Sequence, residues 1–312
     1  MTAGSRATRC IERAEHGAVR VSGPDATSFL QSLVSQDLDV LGDGCGTHSL
    51  LLSPQGKLEV DFRALCVGDD WWLDCDAGFG AVLAERLGRY RIRVNADVND
   101  RSAAWDLLEV RGPDAPARVA AATGVDVPDP THAHVPWREC RIVRSDWATM
   151  AGVDVIGPSD EIRVVRDAML AAGVEPYPPG AYEVARIEAG IARLGVDIDE
   201  RTIPQEAFLE RDAVSFTKGC FLGQELVCRI DTRGHVNRFL RRVDLRGMTV
   251  PDVGATVGLD GRDIGTLTSI APVPDEARSV ALAMIRREVE PPADVVVHDE
   301  HGDLPARIAM LP

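Results

Sequence analysis

Lys218-Gly219-Cys220-Phe221-Leu222-Gly223-Gln224-Glu225 is the stretch on which the reading of this chain turns. It sets a thiol between two glycines and two residues from an ammonium. Glycine permits tight turns and close approach of another molecule, and a positive neighbour raises the thiolate fraction of a cysteine. Redox, metal or nucleophilic use of Cys220 follows from that reading. Its plain rival is a packing role, because cysteine is among the most buried residue types. Lysine is itself scarce here: of 34 basic residues only Lys57 and Lys218 are lysine. Where arginine is the habit, a retained lysine points to its compact, rotatable ammonium, so Lys218 joins Cys220 as a candidate catalytic residue.

Outward from this stretch, Lys218, Arg229, Arg233, Arg238, Arg241, Arg242 and Arg246 outnumber Glu225, Asp231 and Asp244. That makes a positive island in a chain of formal net charge -15. Small anions, such as carboxylates or a phosphate, are natural guests of such an island, and Arg229 and Arg233 are its candidate binding residues. For most of these arginines a solvated edge is the plainer reading. The acidic balance argues against a nucleic-acid or acidic-membrane binder, and no apolar run approaches the roughly 18 residues that span a bilayer. Met1 to Glu15 lacks the apolar core of a secretory signal. The seven cysteines are dispersed, with no Cys-x-x-Cys pair, which fits a reducing compartment better than a disulfide framework or a zinc ribbon. A cytoplasmic protein is expected. No histidine has zinc-ligand spacing, and no P-loop or Gly-x-Ser-x-Gly occurs. His132 and His134 lie in a Pro-rich loop and are expected to face solvent.

Gly17 to Val21 reads as a strand, and Ser22-Gly23-Pro24-Asp25 then opens a helix in which Phe29, Leu30, Leu33, Val34 and Leu38 recur at helical spacing. Ser53-Pro54-Gln55-Gly56 is a turn between two hairpin arms. In the second arm Leu58, Val60, Phe62 and Ala64 alternate with Glu59, Asp61 and Arg63, as in a half-buried strand. A second strand-helix set runs from Trp105 to Ala172, its last helix stopping at Gly173. After Arg246 short alternating runs and turns such as Asp260-Gly261 predict an all-β module. The class is α+β, with residues 1–240 as one region and a β-barrel over residues 241–312.

A helix is predicted from Ala181 to about Arg193. At 100° per residue Glu183, Arg186, Gly190 and Arg193 form a polar stripe facing solvent, and Val184, Ile187 and Ile191 lie opposite. Glu188 falls within the apolar arc. A carboxylate there needs a partner. A salt bridge to one of the many arginines meets that need. So does a ligand, since a carboxylate offers two coplanar acceptors to a heterocycle with a ring N–H beside an exocyclic amine, an edge that pterins and guanine share.

Arg186-Ile-Glu-Ala-Gly-Ile-Ala-Arg-Leu-Gly-Val-Asp-Ile-Asp-Glu-Arg-Thr-Ile-Pro-Gln-Glu206 resembles a signature shared by glycine-cleavage T-proteins and their YgfZ relatives. Lys218 to Glu225 is similar to the Lys-Gly-Cys-aromatic-x-Gly-Gln-Glu hallmark of the YgfZ branch of this aminomethyltransferase-like family. The early Ser-Gly-Pro-Asp and Ser-Pro-Gln-Gly segments match in order and spacing. The resemblance implies a ring of three subdomains around a central hole that binds tetrahydrofolate. It carries a pterin-binding carboxylate onto Glu188 and makes Cys220 the signature cysteine. It also implies a folate-binding accessory role in assembly or repair of iron–sulfur client enzymes. The alternative is a folate-dependent transferase moving an aminomethyl or methyl carbon onto tetrahydrofolate. That branch keeps an aspartate near the folate nitrogens, and Arg93 to Asp100 is the stretch compared with it here.

Overall fold

A computed structural model describes residues 7–14, 16–300 and 302–312. The chain divides into two units: Met1–Pro176 with Glu210–Cys228, and Tyr177–Leu209 with Arg229–Pro312.

The first unit holds two sheets. One runs in the order β11 (Glu175–Pro176), β1 (Arg9–Arg13), β7 (Trp105–Arg111), β10 (Gly152–Pro158), β9 (Cys140–Arg144), β8 (His134–Trp137). All its pairings are antiparallel except β1 with β11. Helices α3 (Ala115–Thr123) and α4 (Ser159–Ala171) cover one face. Ile162, Val165 and Met169 of α4 recur at helical spacing and bury against Leu108, Val110, Val153 and Val155. The other sheet has the order β3 (Gly46–Leu52), β4 (Leu58–Val67), β5 (Asp70–Cys75), β2 (Gly17–Ser22), β6 (Asp97–Asp100). Helices α1 (Ala26–Gln31) and α2 (Gly80–Tyr90) belong to it. Leu65 of β4 meets Leu107, Val143 and Ile156 of the first sheet in a shared apolar cluster. β4 is therefore covered on both faces. The alternation predicted for it is present, but Arg63, expected on the solvent side, is buried, because the first sheet lies over that side. Helix α6 (Glu210–Ala213) and the start of α7 (Gln224–Arg233) complete this unit.

The second unit is built on a closed six-stranded barrel in the order β12 (Arg238–Arg246), β15 (Arg278–Arg286), β14 (Arg262–Pro272), β13 (Thr256–Leu259), β16 (Ala293–Asp299), β17 (Gly302–Ala309). Val243, Val257, Leu267, Ala283, Ile285, Val297 and Ile308 fill its interior. Closure leaves no free strand edge. Helix α5 (Ala181–Glu188) packs on β14 and β15.

Two helices end earlier than their apolar spacing predicts. α1 stops at Gln31 rather than running to Leu38, and the carbonyls of Gln31, Val34 and Gln36 turn to the Lys218 ammonium. α5 stops at Glu188 rather than Arg193. Gly190 takes φ 73°, and the Ile191 carbonyl accepts a hydrogen bond from Arg186. The Gly190 and Ile191 amides turn back to the Ile187 and Arg186 carbonyls, the glycine-terminated cap that ends a helix.

Candidate functional site

The early end of α5 changes the environment of its charged residues. Arg186, expected on the solvent stripe, is 1 % exposed. Its guanidinium donates to Asp197 (2.8 Å), Glu183 (2.9 Å) and Ser269 Oγ (2.8 Å). Asp197 also accepts from Thr268 Oγ1 (2.6 Å) and the Arg193 amide (3.0 Å). Burial disfavours the Arg186 cation, yet Asp197 and Glu183 together hold its pKa above the ordinary value. The buried charge of this helix is thus the arginine.

Glu188 stands at the last turn with its side chain 36 % exposed, and Arg278 donates to its Oε1 (2.9 Å). The arginine partner that helix phase allowed for is present. Arg278 also pairs with Glu276. Among the described residues no donor reaches Glu188 Oε2, so one acceptor of the carboxylate is open.

Arg229 and Arg233 sit four residues apart on α7 and are exposed, on one side of the helix. Other arginines of the positive island are used internally. Arg238 grips both oxygens of the buried Glu206 (3.0 and 3.2 Å), Arg241 lies over the Phe208 and Phe239 rings, and Arg242 pairs with Asp244.

Lys218 and Cys220 belong to the first unit. Cys220 is exposed. The Lys218 ammonium is buried and bonded to backbone carbonyls, and burial lowers its pKa to about 8. Cys228, on α7, is half-buried.

A second constellation in the first unit was not singled out from the sequence. His48 of β3 and Asp61 of β4 form a half-buried imidazole–carboxylate pair. Burial alone would lower the His48 pKa, but Asp61, with Asp212 farther off, raises it above the ordinary value. Arg63, across the ladder from His48, donates to Asp74 (2.9 Å) and Asp154 (2.7 Å). Asp154 meets Arg111 (2.7 Å), and Arg111 meets Glu109 (2.7 Å). His132, expected in solvent, is half-buried beside this group. Burial, reinforced by Arg63 and His48, lowers its pKa to about 4. His134, also expected in solvent, is buried with Nε2 bonded to the Cys66 carbonyl oxygen (2.9 Å). The acids of the Arg93 to Asp100 stretch are exposed instead: Asp97 pairs with Arg91 (3.0 Å), and Asp100 accepts from the Ser102 amide and hydroxyl. The hairpin register was the available signal for His48 and Asp61, since a turn at Ser53 to Gly56 sets Leu50 opposite Asp61 and His48 opposite Arg63.

A cleft of about 650 Å³ in the first unit is lined by Pro24, Thr27, Leu41, Asp43, Cys66 and Asp69. It includes none of the candidates above. Among the described residues no group of three or more His, Cys, Asp or Glu side chains is placed to hold a metal ion, and no helix is long and apolar enough to cross a membrane.

Two facing sheets with covering helices, followed by a closed barrel, define a mixed α/β class of protein found among known folds. A crystal structure of the glycine cleavage system aminomethyltransferase T from Bartonella henselae superposes with a TM-score of 0.87 at 22% identity, over 99% of this chain and 87% of that one. The family model for the GCVT N-terminal domain matches residues 5–218, and the chain belongs to that family. The aminomethyltransferase of Rubrobacter xylanophilus is 26% identical over 301 residues, covering 95% of this chain and 80% of that protein. The one from Herpetosiphon aurantiacus is 27% identical over 273 residues, covering 85% and 75%.

Proposed function

We propose that this protein binds tetrahydrofolate and transfers a one-carbon unit to it as an aminomethyltransferase. The observation that carries this reading is the run of relatives named aminomethyltransferase, matched along three quarters or more of their length. In this reading the open oxygen of Glu188 accepts from the edge of the pterin ring, and Arg229 and Arg233 meet the anionic tail. The Asp61–His48 pair is the candidate proton-handling group of the first unit. It is half-buried, and Asp61 raises the His48 pKa above its ordinary value. Asp97 and Asp100 are less suited, each being exposed and already engaged.

A second reading is favoured by a different observation. Lys218 to Glu225 resembles the hallmark of the YgfZ branch, and its cysteine is exposed. In this reading the same folate site serves an accessory protein for assembly or repair of iron–sulfur enzymes, and Cys220 faces the client.

Calorimetry with tetrahydrofolate tests the shared part. Wild type is expected to bind and Glu188→Ala to bind at least about tenfold more weakly, as for loss of one charge-assisted hydrogen bond. Equal affinity in both would remove Glu188 from the site. A turnover assay with tetrahydrofolate and a lipoyl-carrier aminomethyl donor separates the two readings. Product formation that is lost in Asp61→Asn supports the transferase. Folate binding without product, together with lowered iron–sulfur enzyme activity in a knockout, supports the accessory protein.

A further inference from the structure

Held and free residues alternate within Lys218 to Glu225. Lys218 and Phe221 are buried, whereas Gly219 and Cys220 are exposed. The Lys218 ammonium donates to the carbonyl oxygens of Gln31 (2.9 Å), Val34 (2.8 Å) and Gln36 (2.8 Å), and lies 3.2 Å from Gln31 Oε1. An ammonium has three hydrogens arranged about one centre and so satisfies converging carbonyls. A planar guanidinium fork does not match that arrangement. Among the described residues no carboxylate bonds to Lys218; Asp37 and Asp39 act on it only through space.

The far end of the stretch is held by backbone contact. Gly223 has φ 78°, and a Cβ placed on it would lie 2.4 Å from the Ser53 carbonyl oxygen. A Cβ on Gly56 would lie 2.8 Å from the Gly223 carbonyl oxygen. The two chains meet there as closely as glycine allows.

We infer that Lys218 and Gly223 are positioning residues of a presenting loop. Lys218 pins one end to the segment after α1, Gly223 pins the other to the Ser53-to-Gly56 turn, and Gly219 and Cys220 are held outward between them. Lys218 then acts as a structural cation rather than as an acid, base or nucleophile. This explains why lysine stands there in a chain whose only other lysine is Lys57. What Cys220 reacts with belongs to the second reading above; the clamp does not depend on it.

The test begins with the wild-type protein, because Lys57 and Lys218 are its only lysines. Lysine labelled with ¹⁵N is expected to give a solvent-protected ammonium signal for Lys218 and none for the exposed Lys57. Acylation by an N-hydroxysuccinimide ester should take Lys57 roughly tenfold faster or more, since a pinned ammonium reacts only after local opening. Amide hydrogen exchange across residues 218–224 should then rise by about tenfold in both Lys218→Met and Lys218→Arg, beyond any uniform change across the rest of the chain. Acylation of Lys218 as fast as Lys57, or wild-type exchange in Lys218→Arg, would overturn the inference. If either variant fails to fold, the wild-type measurements still decide. Absence of folate binding in the wild type would count against the folate reading alone, since exchange and acylation report on the clamp without ligand.

Discussion

At the scale of single residues, Arg186 and Glu188 exchange the parts that helix phase assigned to them. Arg186 is enclosed by Asp197, Glu183 and Ser269, so removing its charge strands a buried carboxylate. Arg186→Met is expected to lower unfolding free energy by about 3–5 kcal/mol, the usual cost of breaking a buried pair from one side. Urea denaturation measures it. Glu188 shares a partly exposed pair with Arg278, and such pairs contribute about 0–1 kcal/mol. Glu188→Ala should therefore leave the urea midpoint nearly unchanged, and any loss of folate binding in that variant is a loss at the site. Arg278 occupies one acceptor of the same carboxylate. Arg278→Ala frees it, and calorimetry should show tetrahydrofolate affinity equal to or above wild type if the ligand uses both oxygens.

Among the elements, the Ser53-to-Gly56 turn and the Lys218-to-Glu225 loop depend on one another. Gly223 needs both a positive φ and the absence of a Cβ. An L-residue in that conformation costs roughly 1–2 kcal/mol before any overlap is counted. Gly223→Ala is expected to lose at least that much stability. Gly219, four residues earlier, has no atom within 4 Å of its would-be Cβ, so Gly219→Ala should be neutral in the same thermal melt. The hairpin turn and both its arms were legible in the sequence, because Pro-Gln-Gly chemistry and period-two alternation are local. The ends of α1 and α5 were not. Lys218, distant in the chain, gathers the carbonyls that follow α1, and α5 closes at the left-handed Gly190.

For the molecule as a whole, the chain of alternating charges through the first unit is the largest feature that no local pattern announced. Burial works to raise the Asp74 pKa, but Arg63 and His16 overcome it and leave a value of about 2. Its folded pKa lies below the unfolded value of about 3.9, so its contribution is present above that pH and is lost as pH falls towards 2. His132 is also depressed, to about 4, against an unfolded value of about 6.5. The neutral imidazole is favoured by folding, and the stability it supports declines as pH falls from about 6.5 towards 4. His132→Asn removes that slope, asparagine being tolerant of the φ of 67° found there. Urea midpoints across this window should fall less steeply in the variant than in wild type; parallel curves would place the titration elsewhere. Arg63→Met leaves Asp74 and Asp154 without their shared cation and should cost about 3–5 kcal/mol at neutral pH.

The sequence by itself determined the α+β class, the hairpins, the all-β tail and the two motifs, because turn chemistry and apolar period act over a few residues. It also marked Glu188, Lys218 and Cys220 by type and spacing. Only the tertiary structure decided what surrounds them: an arginine on Glu188, three carbonyls on Lys218, and solvent at Cys220. It alone brought Asp61, His48, Arg63 and His132 together, because β4 is covered on both faces by segments distant in the chain. Burial of a charge depends on what folds over it, and alternation along one strand records only one of its two neighbours.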